Sequence, residues 1–248
     1  MTKQLMIYER AVPVQAEAHR DWSVKTGTSY AFAASINSAP LLAPEFASTA
    51  QDYAIVFAGE GDTVFPAVIL GLRDDQNAFV APDGSWTGRY IPAFLRRYPF
   101  VFAASGDAAR LTLCIDAEFE GVNTEGRGER LFDSEGNRTR YLDEMLAFTT
   151  EYQQHFARTE AFCKRLVEHD LLDKAQVRFE VPGGGRSELR GFRTVSREKL
   201  RALPDEAVLA MARSDDLELC YLHMNSLGNL GRMAERIADA EAAPRYDA

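Results

Sequence analysis

Between Trp22 and about Asp133 the apolar residues come in short runs broken by turn formers, the pattern of half-buried strands. In "YAIVFAGEGDTVFPAVILGL" two such runs flank Gly59-Glu60-Gly61-Asp62, which predicts a hairpin. "NAFVAPDGSWTGRY" repeats the arrangement around Pro82-Asp83-Gly84, and "RLTLCIDAEF" alternates as a further strand. Past Gly136 the period lengthens. Tyr141, Met145, Phe148, Tyr152, Phe156, Cys163 and Leu166 recur at helical spacings, predicting one long amphipathic helix that ends near Asp170 and carries an aromatic stripe into the core.

Two strand-like runs in "VRFEVPGGGRSELRGFRTV" predict a second hairpin. Its Gly183-Gly184-Gly185 serves as a flexible connection, since no phosphate-loop lysine follows. Ser196 is placed to cap a helix with Glu198 in its first turn, and Pro204 opens another with Asp205 and Glu206 at its positive end. Ser214 is placed to cap a third. That helix carries Leu217, Tyr221, Met224, Leu227, Leu230, Met233 and Ile237, with Gly228 and Gly231 leaving room for a second helix to approach. The approaching helix belongs either to the same chain or to the other half of a homodimer.

These elements predict an α+β protein in which a β-rich subdomain, 1–135, packs against a mainly helical subdomain, 136–248, that contains a short β-hairpin. The composition shift at 134–138 marks the boundary, and the two parts form one compact unit. The tail after Ala242 is expected to fray.

Composition narrows the function. With 248 residues, 46% of them apolar and 26% charged, the chain can bury a large core without staples. A formal charge of −9 and a pI near 5.1 oppose phosphate-backbone binding, so nucleic acid is not an expected partner. Cys114, Cys163 and Cys220 are odd in number and widely spaced, which indicates buried thiols rather than a disulfide framework or a zinc site. "MTKQLMIYERAVPVQ" lacks the apolar core of a signal peptide, and no window approaches the roughly 20 apolar residues that span a bilayer. A soluble, cytoplasmic protein is expected, and a permease is excluded.

The candidate chemistry lies in "IPAFLRRYPFVFA", residues 91–103. Pro92 suits the start of a helical turn, and Pro99 biases Tyr98 out of it, so Arg96 and Arg97 fall at its end, where they complement the helix dipole. Adjacent helical residues diverge by about 100°, so only one arginine can share the inward face of Phe94 and Tyr98. An inward guanidinium needs a carboxylate, with Glu45 and Asp133 as candidates, or a ligand anion. Trp86, Arg96, Arg97 and Tyr98 are therefore the candidate ligand-binding residues.

Other motifs fall short. In "DSEGNRTRYLDE", Asp133, Glu135, Asn137 and Glu144 match calcium-loop positions, but Arg138 stands where the loop needs glycine, so a strand, a turn and a helix start are expected there. His19, His155, His169 and His223 are scattered, and no metal or cofactor is expected. No nucleophile elbow, Walker loop or dinucleotide fingerprint occurs, and no catalytic residue is named.

"NAFVAPDGSW", "PAFLRRYPF", "LFDSEGNRTRYL" and "LRGFRTVSREKL" occur in the order found in bacterial SapC-like proteins, which the chain resembles over nearly its whole length. "YAIVF" departs from that family in lacking a proline after the tyrosine. The family name suggests surface-layer secretion or serum resistance. Its members are also met beside TonB-dependent receptors and flavin-dependent tryptophan-halogenase-like proteins. The resemblance thus implies an accessory or binding protein of an uptake, secretion or modification system, with such proteins as partners, and it carries over no catalytic residues. The competing reading is an enzyme with a dispersed active site for a peptide or an aromatic small molecule.

Overall fold

The computed structural model describes residues 7–25, 27, 29–104, 111–181 and 185–242. In chain order the strands are β1 (Ala11–Pro13), β2 (Ser23–Val24), β3 (Ser38–Pro40), β4 (Ile55–Ala58), β5 (Phe65–Ile69), β6 (Phe100–Ala104), β7 (Leu111–Asp116), β8 (Val122–Asn123), β9 (Glu129–Arg130), β10 (Leu172–Val181) and β11 (Gly185–Val195). The helices are α1 (Ala16–His19), α2 (Phe46–Thr49), α3 (Ala93–Arg96), α4 (Arg140–Glu168), α5 (Arg197–Arg201), α6 (Asp205–Arg213), α7 (Asp216–Ser226) and α8 (Asn229–Ala242). Strands dominate before Arg140 and helices after it, the α+β pattern expected. Among the described residues no helix is long and apolar enough to cross a membrane.

By contact the chain divides into two units. One is built from the chain before Tyr30 together with Phe94–Gln154, the other from Tyr30–Ala93 together with the chain from His155 onward. The division is interleaved rather than sequential, unlike the split at 135 that composition suggests. The reason is strand pairing: β11, late in the chain, joins the sheet of β4 and β5.

The first unit holds two three-stranded sheets, ordered β1-β7-β6 and β8-β2-β9. Val24, Phe100, Ile115, Leu131, Phe132 and Leu142 form its buried apolar cluster. The stretch with calcium-loop spacing is a tight turn. Asp133 accepts the amides of Glu135 at 2.9 Å and Asn137 at 2.8 Å, and a bridge between Phe132 and Arg138 closes it ahead of α4.

The second unit holds a five-stranded antiparallel sheet, β10-β11-β4-β5-β3. The β4–β5 hairpin forms where the sequence places it. Gly59 sits at φ 111°, and a Cβ there would lie 2.0 Å from the Thr63 carbonyl oxygen, so the turn needs glycine. The β10–β11 hairpin pairs Val181 with Gly185 and is longer than the short one expected, at ten and eleven residues per strand. Gly183 and Gly184 lie outside the described residues, as do the start of the chain and the tail after Ala242.

The predicted long helix is α4, and its inward stripe includes Leu142, Tyr152, Phe162, Cys163 and Leu166. Thr159 interrupts the stripe without an unpaired hydroxyl: it donates to the His155 carbonyl at 2.7 Å and accepts the Ala43 amide at 2.9 Å. Cys114, Cys163 and Cys220 are buried and free. Burial pushes Cys163 and Cys220 up to about 12, which keeps them protonated.

Beyond β11 the helices follow the predicted starts in part. Ser196 and Pro204 stand at the N-caps of α5 and α6. Ser214 instead ends α6, its hydroxyl on the Met211 carbonyl at 3.3 Å, and Asp215 precedes α7. The single third helix is two, broken at Leu227-Gly228. Gly228 and Gly231 are exposed and do not meet another helix: a Cβ on Gly228 would meet only its own Asn225 carbonyl, at 3.8 Å, and one on Gly231 nothing within 4 Å. The apolar stripe continues across the break, which hides the break from periodicity.

Two buried polar contacts anchor α7. Asp216, 1% exposed, receives Arg165 of α4 through Nε at 2.5 Å and Nη2 at 2.9 Å. His223 is fully buried where β4 and β11 part. Phe57 and Ala58 pair with Arg193 and Phe192, a register that two residues further on would set Ile55 opposite Val195. The imidazole stands in that gap. Its Nε2 accepts the Val195 amide at 3.0 Å, and Nδ1–H donates to the Ile55 carbonyl at 2.9 Å. Ser226 completes the seat by accepting the Ile55 amide at 2.9 Å.

Replacing Arg165 by alanine is expected to leave Asp216 buried and uncompensated, costing about 3 kcal/mol, the low end for a buried pair because the guanidinium keeps contact with water. Urea unfolding checks this, with Arg165→Lys recovering only part of the loss. His223 gives a pH dependence. Burial, with the Val195 N–H facing Nε2, lowers its folded pKa to about 4 from the ordinary 6.5, so the unfolded chain binds the proton first. Stability is complete above about pH 6.5 and falls by roughly 3 kcal/mol toward pH 4. Unfolding at pH 7 and pH 4 should show this component in the native chain and its loss in His223→Gln.

Candidate functional site

The paired arginines behave unequally, as the helical geometry of "AFLRR" requires. Arg96 is exposed, its guanidinium carbon 5.3 Å from the Phe148 ring centre. Arg97 is 1% exposed and lies 4.2 Å from the ring centre of Tyr152, 5.0 Å from Phe94 and 5.9 Å from Tyr8. Such a box of ring faces favours a cation, and most where water is excluded.

Tyr98 turns away to Asp116, donating to Oδ2 at 3.2 Å. Asp116, wholly buried, also accepts the amides of Glu9 and Arg10, each at 2.9 Å, and of Glu118 at 3.2 Å. Burial raises the Tyr8 and Tyr98 phenols above their ordinary range, so both remain donors. This cluster ties the chain around residues 8–10 to β7. Asp133 does not meet the inward arginine, being engaged in its own turn. Glu45 accepts the amides of Leu42 at 2.9 Å and Ala93 at 2.7 Å and the Tyr90 hydroxyl at 2.9 Å.

Trp86, the fourth candidate, belongs to the second unit. Its indole N–H donates to the Tyr53 hydroxyl at 3.1 Å and the Tyr90 carbonyl at 3.0 Å, and its ring stacks on Phe79 at 6.0 Å. Tyr53 donates to the same carbonyl. These contacts pin the segment 86–90 against the core. Gly88 lies so close that a Cβ would sit 1.9 Å from the hydroxyl oxygen of buried Tyr53 and 2.9 Å from the indole nitrogen of Trp86. The Pro82-Asp83-Gly84 turn forms as predicted, but its flanks make only a single bridge, Val80 to Trp86.

The pinned segment forms one wall of a surface cleft of about 410 Å³. Thr87, Gly88 and Arg89 of that segment line it together with Gln51, Asp52 and Phe79 and with Arg232, Met233 and Arg236 of α8. Three guanidinium groups meet one carboxylate. Arg236 lies over Phe79, 4.6 Å from the ring centre, donating through Nε to the Ala78 carbonyl at 2.9 Å and through Nη2 to the Thr87 hydroxyl. Arg232 donates to the Asn229 side-chain oxygen and, at 3.5 Å, to the Gln51 carbonyl. Among the described residues the acceptors of both are neutral, so no carboxylate pairs with either there. Arg89 is held loosely, its Nε 3.8 Å from Asp52 while its amide donates to the same carboxylate at 3.0 Å.

Trp86 stands behind the cleft and is absent from its lining. The arginines that line it were not singled out from sequence. The available signal was the four-residue spacing of Arg232 and Arg236, which puts both on one helix face, but nothing in the sequence links them to Arg89 or Phe79. Among the described residues no group of histidine, cysteine and acidic side chains is arranged to hold a metal.

Fold and cleft together define an α+β protein with an arginine-walled surface site. The family model described as SapC matches residues 14–233, and the chain belongs to that family. No curated protein and no solved structure matches it.

The arginine pair gives a direct prediction. Arg97→Ala empties a ring-lined space in the core and should cost about 3–5 kcal/mol, while Arg96→Ala should cost under about 1 kcal/mol. Arg97→Lys should remain destabilised, because an ammonium lacks the flat face that stacks on Tyr152. Equal, small changes in melting temperature for the two alanine variants would refute the inward placement.

Proposed function

We propose that this SapC-family protein is an accessory or binding component, acting in the cytoplasm, that recognises its ligand or partner through the cleft of the second unit. The observation that carries the reading is the pair Arg232 and Arg236, fixed by neutral acceptors in the wall of a cleft of metabolite size. A guanidinium keeps its proton at every physiological pH, so this wall binds and orients but does not shuttle protons. The one lining carboxylate, Asp52, is already tied to the Arg89 backbone. Such a donor-rich surface suits recognition better than bond-making.

Family resemblance directs the search for partners to uptake components of the TonB-dependent kind and to flavin-dependent halogenase-like proteins. The test is native co-purification of the full chain and of an Arg232→Gln, Arg236→Gln double variant, with mass spectrometry of both proteins and small molecules. A stoichiometric partner or retained molecule should accompany the native chain and disappear from the double variant at unchanged melting temperature. Identical co-purifying species in both would reject the cleft as the working surface.

A further inference from the structure

Resting on that recognition reading, we propose that the cleft binds a small dianion, with Arg232 and Arg236 as a fixed guanidinium pair and Arg89 as a third cation that turns from Asp52 onto the bound group. Residues four apart on α8 rise about 6 Å along one face, a separation that lets two guanidinium groups address oxygens of one phosphoryl group or of two linked carboxylates. Arg236 commits two of its five donors, to Ala78 and Thr87, and its stacking on Phe79 fixes the plane of the remainder. Arg232 commits Nη2 to Asn229 and Gln51, leaving Nε and Nη1 for a ligand. Both are therefore oriented before binding, which lowers the ordering cost of capture.

The third cation differs in kind. The Arg89 side chain is 81% exposed, and its 3.8 Å approach to Asp52 is too long for a hydrogen bond. Asp52 remains anchored through the Arg89 amide when the side chain leaves. Two arginines with no carboxylate partner among the described residues, and a third only loosely compensated, match a ligand of two negative charges better than a monoanion. A cleft near 410 Å³ sets the body at metabolite size. Phosphate esters and dicarboxylates share this chemistry.

The full chain is titrated at constant ionic strength with inorganic phosphate, with succinate, and with acetate as the monoanion, followed by calorimetry. Saturable binding of one equivalent of phosphate or succinate, with acetate weaker by about tenfold or more, is the expected result. Saturation by phosphate alone assigns a phosphoryl group, and by succinate alone a dicarboxylate. Arg232→Gln and Arg89→Gln, both at exposed positions, should each weaken the bound anion by about tenfold, and they carry the test even if Arg236→Gln fails to fold. Asp52→Asn should tighten it by freeing Arg89. No saturable dianion binding, acetate binding as well as the dianions, or affinities unchanged in the arginine variants would overturn the proposal. If the double variant loses its co-purifying partner while no dianion binds, the recognition reading stands and the ligand class falls. Dianion binding with co-purification unaffected separates the two the other way.

Discussion

The imidazole of His223 occupies a place in the sheet where a backbone hydrogen bond would otherwise run. By joining the Ile55 carbonyl to the Val195 amide it lets β4 and β11 part without leaving either buried group unsatisfied. The same turn of helix supplies Ser226 to the Ile55 amide. One residue past the break, Asn229 donates to the carbonyls of Ala50 at 2.9 Å and Tyr53 at 2.8 Å. Three side chains thus seat α7 and the start of α8 on fixed backbone positions around β4. Apolar contact alone permits helices to slide; directed hydrogen bonds to single carbonyls do not.

The cleft inherits that rigidity. Arg232 and Arg236 follow Asn229 within two turns of α8, so their placement in the cleft with Gln51 and Asp52 is set by the bonds that anchor Asn229 to Ala50 and Tyr53. Tyr53 takes part twice. Its carbonyl receives Asn229, and its hydroxyl meets Trp86 and Gly88, fixing the wall that their segment forms. Burial raises the Tyr53 phenol above its ordinary range and preserves it as a donor. Both walls are consequently referenced to one residue of the core, a supporting arrangement suited to holding guanidinium groups in a set geometry.

Elements with a strong local pattern were legible in the sequence: the β4–β5 hairpin from its glycine turn, α4 from its stripe, α6 from Pro204. The inequality of Arg96 and Arg97 was legible too, because it follows from helical rotation. What stayed hidden depends on residues far apart in the chain. The stripe from Leu217 to Ile237 keeps its period through the break at Gly228, so nothing local announces two helices. His223 reads as one more scattered histidine until β4 and β11 are brought to either side of it. The cleft unites positions 51–52, 79, 87–89 and 232–236, and their shared charge has no meaning until the sheet is closed.

The interleaved connectivity has a consequence for biosynthesis. Strands β4 and β5 leave the ribosome early, apolar and with one hydrogen-bonding edge of β4 open, whereas the partner for that edge, β11, begins only at Gly185. At ordinary elongation rates the delay is on the order of ten seconds, far longer than a hairpin needs to form. During that interval the nascent β4 edge is a template for any extended segment nearby. The longer that edge stays open, the more time a wrong pairing has to form before β11 arrives.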